Sequence, residues 1–493
     1  MTDSLARVEP TGNARLRRGL SSWQVVALSI GTMAPSMAIN VNPQAAAGIA
    51  GRAVPLTLIL ATFAVLLVSY GFARLSQHFN HAGSVFGLVG ATLGPRPGAV
   101  AGWLMVGAYL LFGVSAAVTG GILVNDLLTS LGMIAEPSGA IAYGVGAVMV
   151  AVGIALAIVP AKKATDLILI FEAVTVAIIL VIVAVVVAKL AGGNGPQGQS
   201  VDLAVFTPAP GVPFSAITLA AVFGFLSFAG FESSAALGEE AHEPRRAIPR
   251  ALVGTAIGGG IFYVVVSAVA MMGFGTDDAA VAAFASSGSI LGDLGRDYLA
   301  PWVGEAVTVG STISAVGGAV ACVLASSRML YAIARDAAAR PTALGSVSPR
   351  RGTPVVAAVV AGIAMIVSEV IAGAFAETPL QAYAFVGTIG VLLILVGYLL
   401  VTAGAIKLLF VDRAARAAVP MWQVVVPVAA LLVLIYVLYK NVWPYPTGVM
   451  AWLPAIAIAW LLVAVAVITF APEMARRIGT RLTAEENLPT EHA

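Results

Sequence analysis

The chain has 493 residues, of which 59% are hydrophobic and only 10% charged, with a mean hydropathy of +0.97 and a formal net charge of +2. A soluble globular domain carries charge on about a quarter of its residues, so this composition excludes a water-soluble fold and predicts an all-α integral membrane protein. The single cysteine, Cys322, excludes an internal disulfide or a thiolate metal centre. The partners expected are a lipid bilayer and a small molecule, with no nucleic acid, no cofactor and no metal.

Residues 1–20 are polar and Arg-rich, carry no cleavable leader pattern, and read as a tail. Beyond them, windows of about 20 apolar residues recur, each long enough to cross a hydrocarbon core of about 30 Å. About twelve spans are predicted. They start near Val25, Val54, Ala99, Gly139, Leu167, Phe214, Leu252, Val303, Pro354, Gln381, Val424 and Met450. They form one membrane domain over 21–474, with helices 1–5 at 23–190, helices 6–10 at 214–408 and helices 11–12 at 422–471. The Gly- and Pro-rich stretch at 191–213 reads as an external loop, and 475–493 as a second tail.

Two of these spans are interrupted. Gly31-Thr32-Met33-Ala34-Pro35-Ser36 breaks the run from Val25 to Ile49, and Phe228-Ala229-Gly230-Phe231-Glu232 breaks the run from Phe214 to Leu237. Lipid cannot satisfy the backbone groups such breaks release, so they persist only where they are buried or line a cavity. Paired breaks at matching places in two halves mark the binding site of a secondary transporter. Pro35 alone reads equally well as a packed kink.

Basic residues set the orientation. Arg7, Arg15, Arg17, Arg18, Lys162, Lys163, Arg245, Arg246, Arg250, Arg335, Arg340, Arg350, Arg351, Lys407, Arg413, Arg416, Arg476, Arg477 and Arg481 fall on one side of a twelve-span topology. The other side holds Arg52, Lys189, Arg296 and Lys440. The positive-inside rule then puts both termini in the cytoplasm of a multi-pass cell-membrane protein.

Residues 225–250 read F-L-S-F-A-G-F-E-S-S-A-A-L-G-E-E-A-H-E-P-R-R-A-I-P-R, and residues 327–336 read S-R-M-L-Y-A-I-A-R-D before a T-P at Thr353-Pro354. With A-G-S-V-F-G and G-P-R-P-G-A-V-A-G-W in 82–103, these stretches resemble the amino acid–polyamine–organocation (APC) permeases, of the amino acid permease type. The resemblance runs from about helix 1 to helix 10. It implies a LeuT-type fold, in which helices 1–5 and 6–10 are inverted repeats and the broken helices 1 and 6 cross at the centre. The chain departs from the family pattern in helix 1, where Pro35 and Met37 stand at two positions usually held by glycine. Pro35 has no N–H to offer a substrate carboxylate.

A stopped helix offers N–H groups at one end and carbonyls at the other. Gly31, Thr32, Ala34, Pro35, Ser36 and Met37 are therefore candidate contacts for a carboxylate, and Phe228, Ala229 and Gly230 for an ammonium. By the resemblance, Tyr109, Phe225, Phe228 and Tyr383 face the centre, although each also reads as core filler. Glu232 lies in an apolar helix, where a charge must be paired, protonated or hydrated. It is a candidate for substrate recognition, coupling or gating, against a structural bond to the broken backbone. Glu172 is a candidate proton carrier or a packing residue. Glu239 and Glu240, with Arg335, are a candidate inner gate or a solvated turn. Glu369 reads as an interfacial acid and Cys322 as a small apolar filler.

Sodium-coupled relatives carry a Ser/Thr pair on helix 8 where this chain has Ala321-Cys322. Hard cations prefer oxygen ligands, so proton symport or substrate exchange is expected over sodium symport. A channel or sensor on the same fold is the alternative. An enzyme is not expected, because no catalytic constellation of His or Cys occurs within the spans.

Overall fold

The computed structural model describes residues 21–79, 84–158, 162–237, 241–340, 342–348, 351–412 and 419–486, and all of the elements among them are helices. Span 1 is split into α1 (Ser22–Met33) and α2 (Pro35–Ala50). Next come α3 (Val54–Ser76), a short α4 (Val85–Leu93), α5 (Pro95–Ser130), α6 (Gly139–Ile158) and α7 (Lys162–Ala191). Span 6 is α8 (Phe214–Ser227) followed, after a turn, by a 3-10 segment at Phe231–Leu237. It is followed by α9 (Pro244–Phe274), two short helices α10 (Asp278–Ser286) and α11 (Ile290–Tyr298), α12 (Pro301–Ala337), α13 (Val355–Phe375) and α14 (Pro379–Ile406). The last are α15 (Val425–Val442), α16 (Trp452–Phe470) and α17 (Pro472–Glu486).

Ten continuous segments among the described residues are long and apolar enough to cross a bilayer. The first, Trp23–Ser76, holds both the broken span 1 and α3, and the shorter apolar helix Phe214–Ser227 supplies span 6. The twelve predicted spans are therefore all present. Because five is odd, spans 6–10 run opposite to spans 1–5, and each run opens on a broken helix. Several helices start earlier than their apolar cores. The seventh begins at Pro244 rather than near Leu252, because a proline at the first helical position is compatible with a helix start in polar surroundings.

The breaks follow from local chemistry. A capping box at Ser21 and Gln24 starts α1, which ends at Ala34 in a left-handed conformation (φ 45°, ψ 60°). Proline disfavours a right-handed helical conformation in the residue before it, so Pro35 stops α1 and supplies the first residue of α2. Ala34 holds this geometry despite its Cβ, at a cost of about 1–2 kcal/mol. In span 6 the positive φ of Gly230 (98°) turns the chain out of α8, and Phe231 N–H and Ser233 N–H close tight turns onto the carbonyls of Phe228 and Gly230.

Span 3 is the central post. Of the most apolar stretch of α5, 89% is buried in protein, against 22% and 28% for the last two spans, whose exposed faces are left to lipid. Around α5 pack α12, α14 and α6. Outside the membrane, α11 is tied down by Arg296, which pairs with Asp126 at the end of α5 (3.0 Å) and with Asp293 (2.8 Å). The segment expected to open the C-terminal tail is helical to Glu486, with Ala475 and Ile478 buried where α17 packs on α5 and α12.

Candidate functional site

The two breaks touch. A Cβ placed on Gly230 would lie 2.8 Å from the Cβ of Thr32 and 3.0 Å from its carbonyl carbon. Only a residue without a side chain allows this approach of the two chains. Beside the contact lies a small cavity of about 30 Å³, room for two or three waters. Its walls are Thr32, Met33, Met37 and Asn42 from span 1, Leu226, Ala229 and Gly230 from span 6, Tyr109, Phe112, Ser115 and Ala116 from α5, Gly318 and Cys322 from α12, and Tyr383 from α14.

Hydrogen bonds flank the breaks on both sides. Toward the end of span 1 at Ala50, Asn42 donates through Nδ2 to Ser227 Oγ (2.7 Å) and accepts from the Tyr383 hydroxyl. Toward the other end, Ser29 Oγ donates to the Phe231 carbonyl (3.1 Å) and accepts from Ser234 N–H (3.3 Å). These bonds join α1 to the 3-10 segment of span 6. The rings of Phe72, Phe231 and Tyr398 meet edge to face beneath them, with centroids 5.6–5.8 Å apart. Spans 1 and 6 are thus tied to each other by hydrogen bonds on either side of the breaks.

Glu232 is fully buried just past the second break. The hydroxyls of Tyr109 and Tyr398 donate to its two carboxyl oxygens, each at 2.8 Å. One acid thus joins span 6 to α5 and α14. It does not line the cavity, but Tyr109 does, so the cavity wall and the acid are one hydrogen bond apart.

The N-terminal end of α2 differs from the expectation of open donors. Pro35 has no N–H, Ser36 N–H donates to Glu172 Oε1 (2.9 Å), and Met37 N–H donates to Ser314 Oγ (3.4 Å). The next donor, Ala38 N–H, already belongs to the helix through the Ala34 carbonyl (2.9 Å). Glu172, 5% exposed on α7, thus caps α2 from behind the cavity, with Ser314 in reach of the same carboxyl. The fully buried Tyr263 is also near, and its hydroxyl has no hydrogen-bond partner among the described residues.

Of the candidates named from the sequence, Thr32, Met37, Tyr109, Ala229, Gly230 and Tyr383 line the cavity. Gly31 instead faces Leu169 of span 5. Phe225 and Phe228 are buried outside the lining, and Phe228 packs edge to face on Tyr263 (5.2 Å). Ala34, Pro35 and Ser36 form the break without lining the cavity. Glu239 and Glu240 lie outside the described residues. Arg335 bonds Asp336 (2.7 Å) and lies over the Tyr331 ring. Asn42, Met33, Phe112, Ser115, Ala116, Leu226 and Gly318 carry no local signal and enter through packing alone. Cys322, expected as filler, is part of the wall. Glu369, expected at the interface, is 2% exposed and packs against Gly146, with neither carboxyl oxygen hydrogen-bonded among the described residues.

Opposed broken helices enclosing a small cavity define a secondary transporter of the LeuT-type fold. Residues 24–482 match the amino acid permease family model, and the chain belongs to that family. It is 28% identical over 344 residues to the branched-chain amino acid permease BcaP of Lactococcus lactis, covering 67% of this chain and 71% of that one. It is 25% identical over 356 residues to the low-affinity putrescine importer PlaP of Escherichia coli, covering 71% and 74%. It is also 26% identical over 378 residues to the mouse cationic amino acid transporter 4, covering 72% and 56%.

Proposed function

We propose that this transporter resides in the cell membrane with both termini in the cytoplasm, and moves an amino acid or related amine by alternating access, with proton symport or exchange as the driving force. The observation that carries this reading is the pair of breaks meeting beside a cavity, with separate hydrogen-bonded ties between spans 1 and 6 on either side of the breaks, which we read as seals. A carrier needs two such seals, each weak enough to open in turn. The Asn42–Ser227–Tyr383 seal and the Ser29–Phe231–Ser234 seal consist of single neutral hydrogen bonds, each with a net worth of about 1 kcal/mol.

Cargo of this class fits the relatives, whose names record branched-chain amino acids and putrescine. The lining is mostly apolar with a few polar groups, which suits a small organic body with one polar end. Glu232 is the proposed coupling group. As a carboxylate it accepts from both tyrosines; a proton on it turns one acceptor into a donor. The tie of span 6 to α5 or to α14 then reverses into a weaker, neutral bond, so protonation and helix movement share one atom.

The test is reconstitution into proteoliposomes, with counterflow of labelled amino acids and amines under imposed pH and sodium gradients. Saturable counterflow stimulated by an inward proton gradient, or needing no ion gradient, is expected. Uptake that follows sodium overturns the coupling assignment, and non-saturable flux without counterflow overturns the carrier reading.

A further inference from the structure

Glu172 takes the backbone donor at the start of α2 that a substrate's carboxylate would seek. We infer that it is a built-in anion occupying that place, and that the cargo is an organic amine without a carboxylate. This rests on the carrier reading above.

The start of a helix attracts an anion through its positive dipole end and its free N–H groups. At α2 both attractions are already used. Of the first three residues, Pro35 has no donor, Ser36 donates to Glu172 at 2.9 Å, and Met37 donates to Ser314 at 3.4 Å. Glu172 is 5% exposed and belongs to a different span, 136 residues along the chain. Its charge faces the same dipole a substrate carboxylate would seek. A second carboxylate brought to this break would meet a like charge and no unused backbone N–H in the first turn of α2, with the Ser36 hydroxyl the one donor left beside it among the described residues, an arrangement that disfavours a carboxylate.

Among the described lining residues the cavity offers an anion neutral groups alone, the Ser115 hydroxyl among them, and no Lys, Arg or His. The Tyr109 hydroxyl is directed to Glu232, and the Tyr383 hydroxyl to Asn42. Two buried acids stand close by instead, Glu172 bonded to the start of α2 and Glu232 bonded to the wall residue Tyr109. Such a field favours a cation. At the turn the carbonyls of Phe228 and Gly230 already accept from Phe231 N–H and Ser233 N–H, which leaves the Ala229 carbonyl to receive an ammonium, and the apolar wall of Met33, Met37, Phe112 and Leu226 to receive its hydrocarbon part.

The experiment uses the full-length purified protein and matched pairs differing only by a carboxylate: isoamylamine against leucine, and putrescine against ornithine. Binding is read by thermal shift and by protection of Cys322, the chain's single thiol and a wall residue, from a small methanethiosulfonate reagent. One amine is expected to stabilise and protect at concentrations at least about tenfold below its amino acid partner, which corresponds to about 1.4 kcal/mol or more. In Glu172→Gln, whose amide oxygen still caps Ser36 without the charge, that preference is expected to shrink at least about tenfold.

Stronger binding by leucine or ornithine overturns the inference and leaves the carrier reading intact. Binding by neither member of either pair overturns the inference as well, and saturable counterflow of some other compound would then show that the carrier reading survives. An unchanged preference in Glu172→Gln overturns the role of Glu172. If that variant does not fold, the comparison of pairs on the native chain decides alone.

Discussion

Replacing Gly230 by alanine puts a methyl group where the two broken spans touch. Two terms oppose it. The φ of 98° is foreign to residues with a Cβ, at about 1–3 kcal/mol. The new Cβ would also lie 2.8 Å from Thr32 Cβ and 3.0 Å from the Thr32 carbonyl carbon. Overpacking of this kind costs about 1–3 kcal/mol, part of it against backbone that cannot rotate away. Together they destabilise this conformation by about 3 kcal/mol. With an unfolding entropy of about 2.1 cal/mol/K per residue, the midpoint of thermal unfolding falls by roughly 3 °C. The steric part is separable by a double-mutant cycle with Thr32→Gly, which removes the opposing Cβ and its substituents but leaves the φ penalty in place. A coupling energy of about 1–2 kcal/mol is expected in the combined variant. The assay is a set of four unfolding curves in one detergent, with counterflow measured alongside. A single Gly230→Ala variant with an unchanged midpoint and unchanged counterflow would refute the claim that the breaks are pressed together.

Ala34→Gly should leave the midpoint unchanged or raise it by up to about 1 kcal/mol of stability, because glycine relieves a left-handed alanine against a smaller entropy penalty; a clear fall would mean that Ala34 is not strained. Glu232→Gln should reduce uptake at least tenfold while expression and folding persist, since the amide cannot carry the proton that the proposed mechanism moves; normal uptake at every pH would remove Glu232 from the mechanism. Asn42→Ala leaves the hydroxyls of Ser227 and Tyr383 without their shared partner, at about 1–3 kcal/mol. It should speed labelling of Cys322 from the outer side, and an unchanged rate would show that the outer seal lies elsewhere. In the loop between α7 and α8, hydrogen bonds from Thr276 Oγ1 and Ala204 N–H hold the Asp202 carboxyl below its usual range. A depressed folded-state value gives stability that is present above the unfolded pKa of about 3.9 and lost as pH falls through the folded value. The stability difference between the native chain and Asp202→Asn should therefore be constant from pH 8 to about 5 and shrink only below about 4; a change near neutrality would contradict it.

The spans and their interruptions were legible because both are written locally. Hydropathy needs no partner to be read, and Pro35 and Gly230 stop a helix by the geometry of their own backbones. The match to the permease family over 24–482 follows from the same local motifs. Glu232 was legible as an acid that cannot stand alone in an apolar helix, and the structure provides the tyrosines that hold it. Cys322 and Glu369 were read by residue type and approximate depth. Type and depth do not say which face of a helix a residue occupies, and that face makes one a cavity wall and the other a buried acid against Gly146.

By itself, then, the sequence determined that this protein crosses a membrane about twelve times and breaks its first and sixth spans. Each of those outcomes is set by a contiguous run of residues and by the refusal of lipid to satisfy open backbone groups. Only the tertiary structure decided what occupies the breaks. Ser36 and Glu172 are 136 residues apart, Glu232 and Tyr398 166, and Asn42 and Tyr383 341. Such pairs form because rigid helices pack at particular rotations, and rotation depends on the contacts of every neighbouring helix at once. A start of α2 that the motif leaves open to a substrate's carboxylate is, in the packed molecule, already capped by one of the chain's own.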